Sequence, residues 1–189
     1  MKGVIADCLG KLVSEKFGKD KWIQSLIKAG FSKYSIFLPF QDVEDEKVIR
    51  LIEAVCSVTG ITQEQAANAF GEYWVNIYAA NVYKIYYMDQ NSARDFLLKM
   101  DQVHEKVTRT VTNAKPPRFD YQWKKDNILI MKYKSARGMM DILVGLVKGV
   151  GRFYNEAIEV TRIGENELEI VFPVKRFQAG VKNSLPPNS

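Results

Sequence analysis

Apolar residues in the first two-thirds of the chain recur every three to four positions, the spacing that lines one face of a helix. Ile5, Leu9, Leu12 and Val13 predict a first helix from Val4 to Phe17. A second is expected after Asp20 as N-cap, stopping at Gly30 and burying Trp22, Ile23, Leu26 and Ile27. A third runs from Glu44 to Ser57, ahead of Gly60. Thr62 opens a fourth, with Gln65 three residues on completing a capping box, and this helix carries Phe70, Trp74, Ile77 and Tyr78. Ser92 and Asp95 repeat the device at the head of a fifth, which extends to about Val111.

The period then changes from helical to alternating. Pro116-Pro117 cannot continue a helix, because proline lacks the N–H donor and clashes with the preceding turn. Beyond Arg118, the residues Phe119, Tyr121 and Trp123 alternate with polar ones, and Ile128 to Tyr133 follows as a second strand of a hairpin. A helix from Gly138 to Asn155 carries Met140, Leu143, Val147 and Val150. Two more strands, Ile158 to Ile163 and Leu168 to Phe172, close the pattern before Pro173. Helices, two strands, one helix and two strands make an α+β fold with a small antiparallel sheet. Gly145, Gly149 and Gly151 fall inside a helical run and do not follow a strand, so close helix packing explains them better than a phosphate loop. From Gly180 to Ser189 the composition is that of a linker, or of a frayed terminus.

Composition narrows the classes. A chain of 189 residues, 47% hydrophobic and 12% aromatic, suits one domain or one domain of two lobes and is too apolar for disorder. The uncharged stretch from Tyr73 to Tyr83 is far short of the roughly 20 residues of a membrane span. Asp7, Lys11 and Glu15 interrupt any signal-peptide core, and Cys8 and Cys56 make no disulfide framework. The chain reads as cytoplasmic or cytoplasm-facing. A net charge of +5 permits a nucleic-acid reading, but no Lys/Arg run exceeds two residues, which is the pattern of a solvated surface.

Two constellations carry chemistry. His104, the single histidine, shares the apolar face of the fifth helix with Leu97, Met100, Val107 and Val111. It is either a satisfied core histidine or a metal ligand, and one imidazole from an apolar face can hold an iron porphyrin. Tyr133, Ser135 and Arg137 alternate onto one face at the end of the second strand. Either they are the polar face of a strand end, or the phenol, hydroxyl and guanidinium fork form a clamp for carboxylates or phosphate.

Taken in order, Met1-Lys2-Gly3, Phe70-Gly71-Glu72-Tyr73-Trp74, the helix with Met100 and His104, Pro116-Pro117-Arg118-Phe119 and Tyr133-x-Ser135-x-Arg137 resemble the H-NOX family. These are heme nitric oxide/oxygen-binding domains related to the sensor domain of soluble guanylate cyclase, and the resemblance covers residues 1 to 175. It implies a helical N-terminal lobe and a C-terminal lobe with a four-stranded antiparallel sheet, with heme b between them, and a linker-like tail over 176–189. It further implies His104 as axial iron ligand, Tyr133, Ser135 and Arg137 on the heme propionates, and Pro117 pressing on the porphyrin. Ile5, Leu9, Trp74, Tyr78, Ile142 and Leu146 are the slot residues expected from apolar register and the resemblance. Such domains are sensors rather than enzymes. Oxygen-binding members place a tyrosine five residues after the motif arginine; here that residue is Ile142, so nitric oxide and carbon monoxide are the expected gases. The expected partner is a chemotaxis transducer, a cyclase or a histidine kinase, in cis or in trans. The competing reading is a non-heme domain that binds an anionic ligand or a protein through Tyr133, Ser135 and Arg137.

Overall fold

The computed structural model describes residues 1–88 and 90–174; the stretch 176–189, expected to be a tail, lies outside them. Helix α1 (Gly3–Phe17) ends at Gly18, whose φ of 90° only glycine adopts freely, and α2 (Lys19–Lys28) starts at once. Asp20 therefore stands in the first turn of α2 and not at its N-cap. Ile27, expected inside, is 56% exposed, because α2 buries only a narrow seam around Ser25 and Leu26 against its neighbours. Helix α3 (Asp45–Thr59) is closed by Gly60 in the left-handed region, its N–H donating to the Cys56 carbonyl at 2.9 Å.

Both capping devices read from the sequence form. Gln65 N–H donates to Thr62 Oγ1 at 3.1 Å, and Thr62 N–H donates to Gln65 Oε1 at 2.9 Å, which starts α4 (Gln63–Tyr73). Asp95 N–H donates to Ser92 Oγ at 3.0 Å at the head of the long cavity helix, residues Ala93–Thr110. Between them the chain departs from the expectation of one regular helix. Residues Trp74–Tyr78 form a π turn, followed by two short helices, α5 (Ala79–Val82) and α6 (Ile85–Met88). The longer i→i+5 turn keeps residues four apart in line and throws those three apart off the stripe. Tyr78 accordingly stays buried below Trp74, whereas Ile77 is 44% exposed.

After α7, the helix Ala93–Thr110, strands β1 (Arg118–Lys125) and β2 (Ile128–Lys134) form the expected hairpin. Helix α8 (Met140–Phe153) follows, then β3 (Glu159–Arg162) and β4 (Glu167–Val171). The sheet is antiparallel in the order β1-β2-β4-β3. Met140, Leu143, Val147 and Val150 of α8 are buried with Leu129, Met131, Leu168 and Ile170 of the sheet in one core. A second core joins α1 to α4.

Helices α4 and α8 cross backbone to backbone. A Cβ on Gly145 would stand 2.2 Å from the Ala67 carbonyl oxygen, and one on Gly149 would stand 2.7 Å from that of Gly71. Gly145 and Gly149 thus set how closely the helical lobe rests on the helix that packs on the sheet, while Gly151 leaves room for Ile158.

Candidate functional site

A cavity of about 340 Å³ opens where the two cores meet. Val4 and Ile5 of α1, Phe70 of α4, and Trp74 and Val75 of the π turn contribute from the helical lobe. Phe119, Met131, Tyr133, Ile142 and Leu146 contribute from the other lobe. The α7 stripe of Leu97, Met100, His104, Val107 and Val111 lines it in full, as the helical spacing requires. Such a mostly apolar wall with a few polar groups suits a small molecule or cofactor.

His104 is half-buried, and its Nδ1 lies 2.7 Å from the Pro117 carbonyl oxygen. A carbonyl can only accept, so Nδ1 carries the proton and Nε2 keeps its lone pair. Burial holds the imidazole below its ordinary pKa against the opposing pull of the Pro117 carbonyl and Asp101, which keeps it neutral. A neutral ring with a free Nε2 is the form that ligates a metal. The acceptor itself is braced. Asp101, three residues before His104, accepts from Arg118 Nε at 2.8 Å, from its terminal nitrogen at 2.6 Å and from Phe119 N–H at 2.8 Å. The Arg118 hydrogen bonds hold the Asp101 carboxyl below the usual carboxylate range.

Tyr133, Ser135 and Arg137 keep the alternation beyond the end of β2: they turn inward while Lys134 and Ala136 stay exposed. Tyr133 and Arg137 line the cavity. The Arg137 side chain donates from Nε to Asp45 Oδ2 at 2.7 Å and from a terminal nitrogen to the Lys115 carbonyl. Asp45 also accepts from the N-terminal ammonium of Met1. Burial works against the Asp45 carboxylate, but hydrogen bonds from that ammonium and from Arg137 outweigh it and hold its pKa down. One carboxylate, in the first turn of α3, therefore joins the N-terminus ahead of α1 to the guanidinium at the cavity rim.

Three expected site residues stand elsewhere. Ser135 does not line the cavity; its Oγ accepts from Arg137 N–H at 3.3 Å and shapes the turn that presents the guanidinium. Leu9 is one helical turn beyond Ile5 and is buried among the helical-lobe residues. Tyr78 is buried, with its hydroxyl donating to Asp7 Oδ2 at 2.6 Å, away from the cavity. Burial, and then the Asp7 carboxylate, push the Tyr78 phenol well above its ordinary pKa. Ile5, Trp74, Pro117, Ile142 and Leu146 do line the cavity. Asp101 and Asp45 escaped the sequence reading. Asp101 carries a spacing signal, three residues ahead of the histidine, but Asp45 is 92 residues from Arg137 and reads only as an acidic first helical turn.

The pattern recurs in known proteins. The sequence model of the family described as Haem-NO-binding matches residues 2–162. Soluble guanylate cyclase gcy-34 of Caenorhabditis elegans is 26% identical over 158 residues, covering 80% of this chain and 23% of that protein. Soluble guanylate cyclase 89Da of Drosophila melanogaster is 27% identical over 164 residues, covering 84% of this chain and 24% of that protein. The chain thus spans about a quarter of the length of these curated relatives. Among solved structures, an oxygen-binding H-NOX domain related to soluble guanylate cyclases, in its oxygen complex, superposes with a TM-score of 0.79. It is 26% identical, with 91% of this chain and 95% of that one covered. A mutant H-NOX domain of T. Tengcongensis gives a TM-score of 0.78 at 25% identity, covering 91% and 97%.

Proposed function

This chain belongs to the Haem-NO-binding family, and we propose that it is a member selective for nitric oxide that switches a signalling partner. It is an H-NOX domain, a heme-binding gas sensor related to soluble guanylate cyclase. The observation that carries the reading is His104: a neutral imidazole on the cavity wall, its Nδ1–H tied to the Pro117 carbonyl and its Nε2 free. His104 would ligate the iron, the apolar wall would take the macrocycle, and Tyr133 and Arg137 would meet the propionates, with Ser135 holding their turn. Neither Cys8 nor Cys56 lines the cavity, which supports a non-covalent heme b. When bound, heme supplies a ferrous iron that takes a diatomic gas.

Selectivity follows from what the remaining wall offers. Bound oxygen gathers negative charge and is retained best by a hydrogen-bond donor, whereas nitric oxide and carbon monoxide need one far less. At the expected positions Ile142 and Leu146 donate nothing, and Tyr78 directs its hydroxyl to Asp7. The wall also carries the phenols of Tyr83, Tyr86 and Tyr87, and the spectrum in air decides whether one of them serves bound oxygen. Trp74 is a wall residue held in a stack between Phe70 and Tyr78, with ring centroids 5.8 and 5.4 Å away. Output would begin at α7: a His104 no longer held through Nε2 would stay tied through Nδ1–H to the Pro117 carbonyl, so a shift of its helix would carry to the Asp101–Arg118 brace and to β1. The receiving partner would be a cyclase or chemotaxis transducer in the same chain, or a separate histidine kinase. The domain itself senses and does not catalyse.

The test is a visible spectrum of the reduced, heme-loaded protein in air, followed by anaerobic addition of nitric oxide. The expected result is no stable oxygen complex in air and a shift with nitric oxide to a form that has lost the histidine ligand. A long-lived spectrum of the oxygen complex in air overturns the selectivity, and a nitric oxide form that keeps the histidine overturns the release step. A protein that takes up no heme overturns the whole reading.

A further inference from the structure

The loop between α2 and α3 places large apolar side chains in solvent. Tyr34 is 78% exposed, Ile36 80% and Leu38 64%, and Ile27, at the end of α2, is 56% exposed. Single exposed apolar residues are ordinary, but four within twelve positions are not. The loop is held in place from beneath. Phe31 and Phe37 meet edge to face with centroids 5.3 Å apart, and Phe37 is buried. The Leu38 carbonyl lies so close to Gly3 that no side chain fits there. Tyr34, Ile36 and Leu38 are thus held outward on a fixed base and do not fold back onto the protein.

Beside them runs an open basic groove. Lys28, Lys47 and Arg50 line it with Gly30, Phe31 and Ser32, and among the described residues no acidic one does. Lys33 adds a further cation, its Nζ 4.9 Å from the Tyr34 ring centroid. Lys28 donates to Ser57 Oγ and Lys47 pairs with Glu44, which fixes their stems while leaving the ammonium groups further donors.

We propose that this face rests on an anionic lipid surface, with Tyr34, Ile36 and Leu38 entering the headgroup–acyl boundary and Lys28, Lys33, Lys47 and Arg50 meeting the headgroups. Shape favours lipid over a peptide, since peptides are held in concave grooves by pocketed anchors. Side chains 64–80% exposed are prongs, not the walls of a groove. Tyrosine and aliphatic tips within a basic rim match the interfacial boundary in both polarity and charge. Each basic residue near such a surface multiplies partitioning by roughly fivefold, so the contact is reversible and salt-sensitive. None of these residues lines the cavity, so the inference stands apart from the cofactor reading.

The experiment is co-sedimentation of the full chain with sucrose-loaded vesicles of phosphatidylcholine containing about 30% phosphatidylserine, against phosphatidylcholine alone, at about 0.1 M salt. The wild type is expected to pellet with the anionic vesicles only. Ile36→Asp with Tyr34→Ser, and separately Lys28→Glu with Arg50→Glu, should each reduce partitioning by roughly tenfold or more at unchanged circular dichroism. No binding to anionic vesicles overturns the proposal, as does binding that both double variants retain. A wild-type dimer in light scattering that Ile36→Asp dissolves also overturns it, because the face would then join two copies of this chain.

Discussion

The imidazole of His104 and the carbonyl of Pro117 stand 2.7 Å apart, joining α7 to the segment that enters β1. Proline contributes only its carbonyl here, and the Asp101–Arg118 pair holds that segment against α7. Ring tautomer and ring orientation are therefore set before any metal arrives.

His104→Gly removes the one imidazole in the chain. The heme-loaded variant is expected to lose the wild-type Soret spectrum and to regain it on addition of free imidazole. Absorption titration reads both, and an unchanged spectrum in the variant refutes His104 as ligand.

Arg137→Ala removes the guanidinium at the cavity rim and leaves Asp45 facing only the N-terminus. Charge-assisted hydrogen bonds contribute about 1.5–3 kcal/mol, so heme should pass to apo-myoglobin roughly tenfold faster or more. An equal transfer rate would count against a propionate role.

Asp45 carries a pH signature. Its folded pKa lies below its ordinary value of 3.8, so the stabilisation it contributes is complete at neutral pH. That contribution is lost only as the pH falls through the depressed folded value. The gap in urea midpoint between wild type and Asp45→Asn should thus be flat from about pH 7 to 5 and close below about pH 4. A gap that closes already near neutrality would show that another group is titrating.

Tyr78→Phe tests the direction of that hydroxyl. Losing the bond to Asp7 should lower stability by about 1 kcal/mol, because Asp7 is partly exposed and water replaces the lost donor. Carbon monoxide affinity of the heme-loaded protein should be unchanged. A marked change in that affinity would place the hydroxyl in the cavity.

Gly145→Ala reverses an ordinary rule. In a helix interior alanine is better than glycine by about 1 kcal/mol, yet here the new Cβ would meet the Ala67 carbonyl oxygen at 2.2 Å. Forcing α4 and α8 apart should cost about 1–3 kcal/mol net, visible as a lower urea midpoint. A stabilised variant would show that the crossing can widen freely.

Local order was legible in the residues because its causes are local. The capping box at Thr62, the Ser92 N-cap, the proline break at Pro116-Pro117, the α7 stripe around His104 and the alternation from Tyr133 to Arg137 all act within a few residues of chain. The π turn at Trp74–Tyr78 was not legible, since no composition marks it, and it alone separates buried Tyr78 from exposed Ile77. Nor did apolar register tell cavity from core: Ile5 and Leu9 share a helical stripe, yet only Ile5 reaches the cavity.

What the sequence by itself determined is the order of the longer helices and of the strands, the face most of them bury and the residue types able to hold an iron porphyrin. Tertiary structure decided which of those groups meet. Asp45 finds Arg137 across 92 residues, Asp101 finds Arg118, and Tyr78 turns to Asp7 and leaves the cavity without its hydroxyl. Periodicity is a property of neighbours along the chain and specifies a face. The partner across that face depends on how two helices cross, here through Gly71, Gly145 and Gly149, and that crossing is settled only when both lobes pack together.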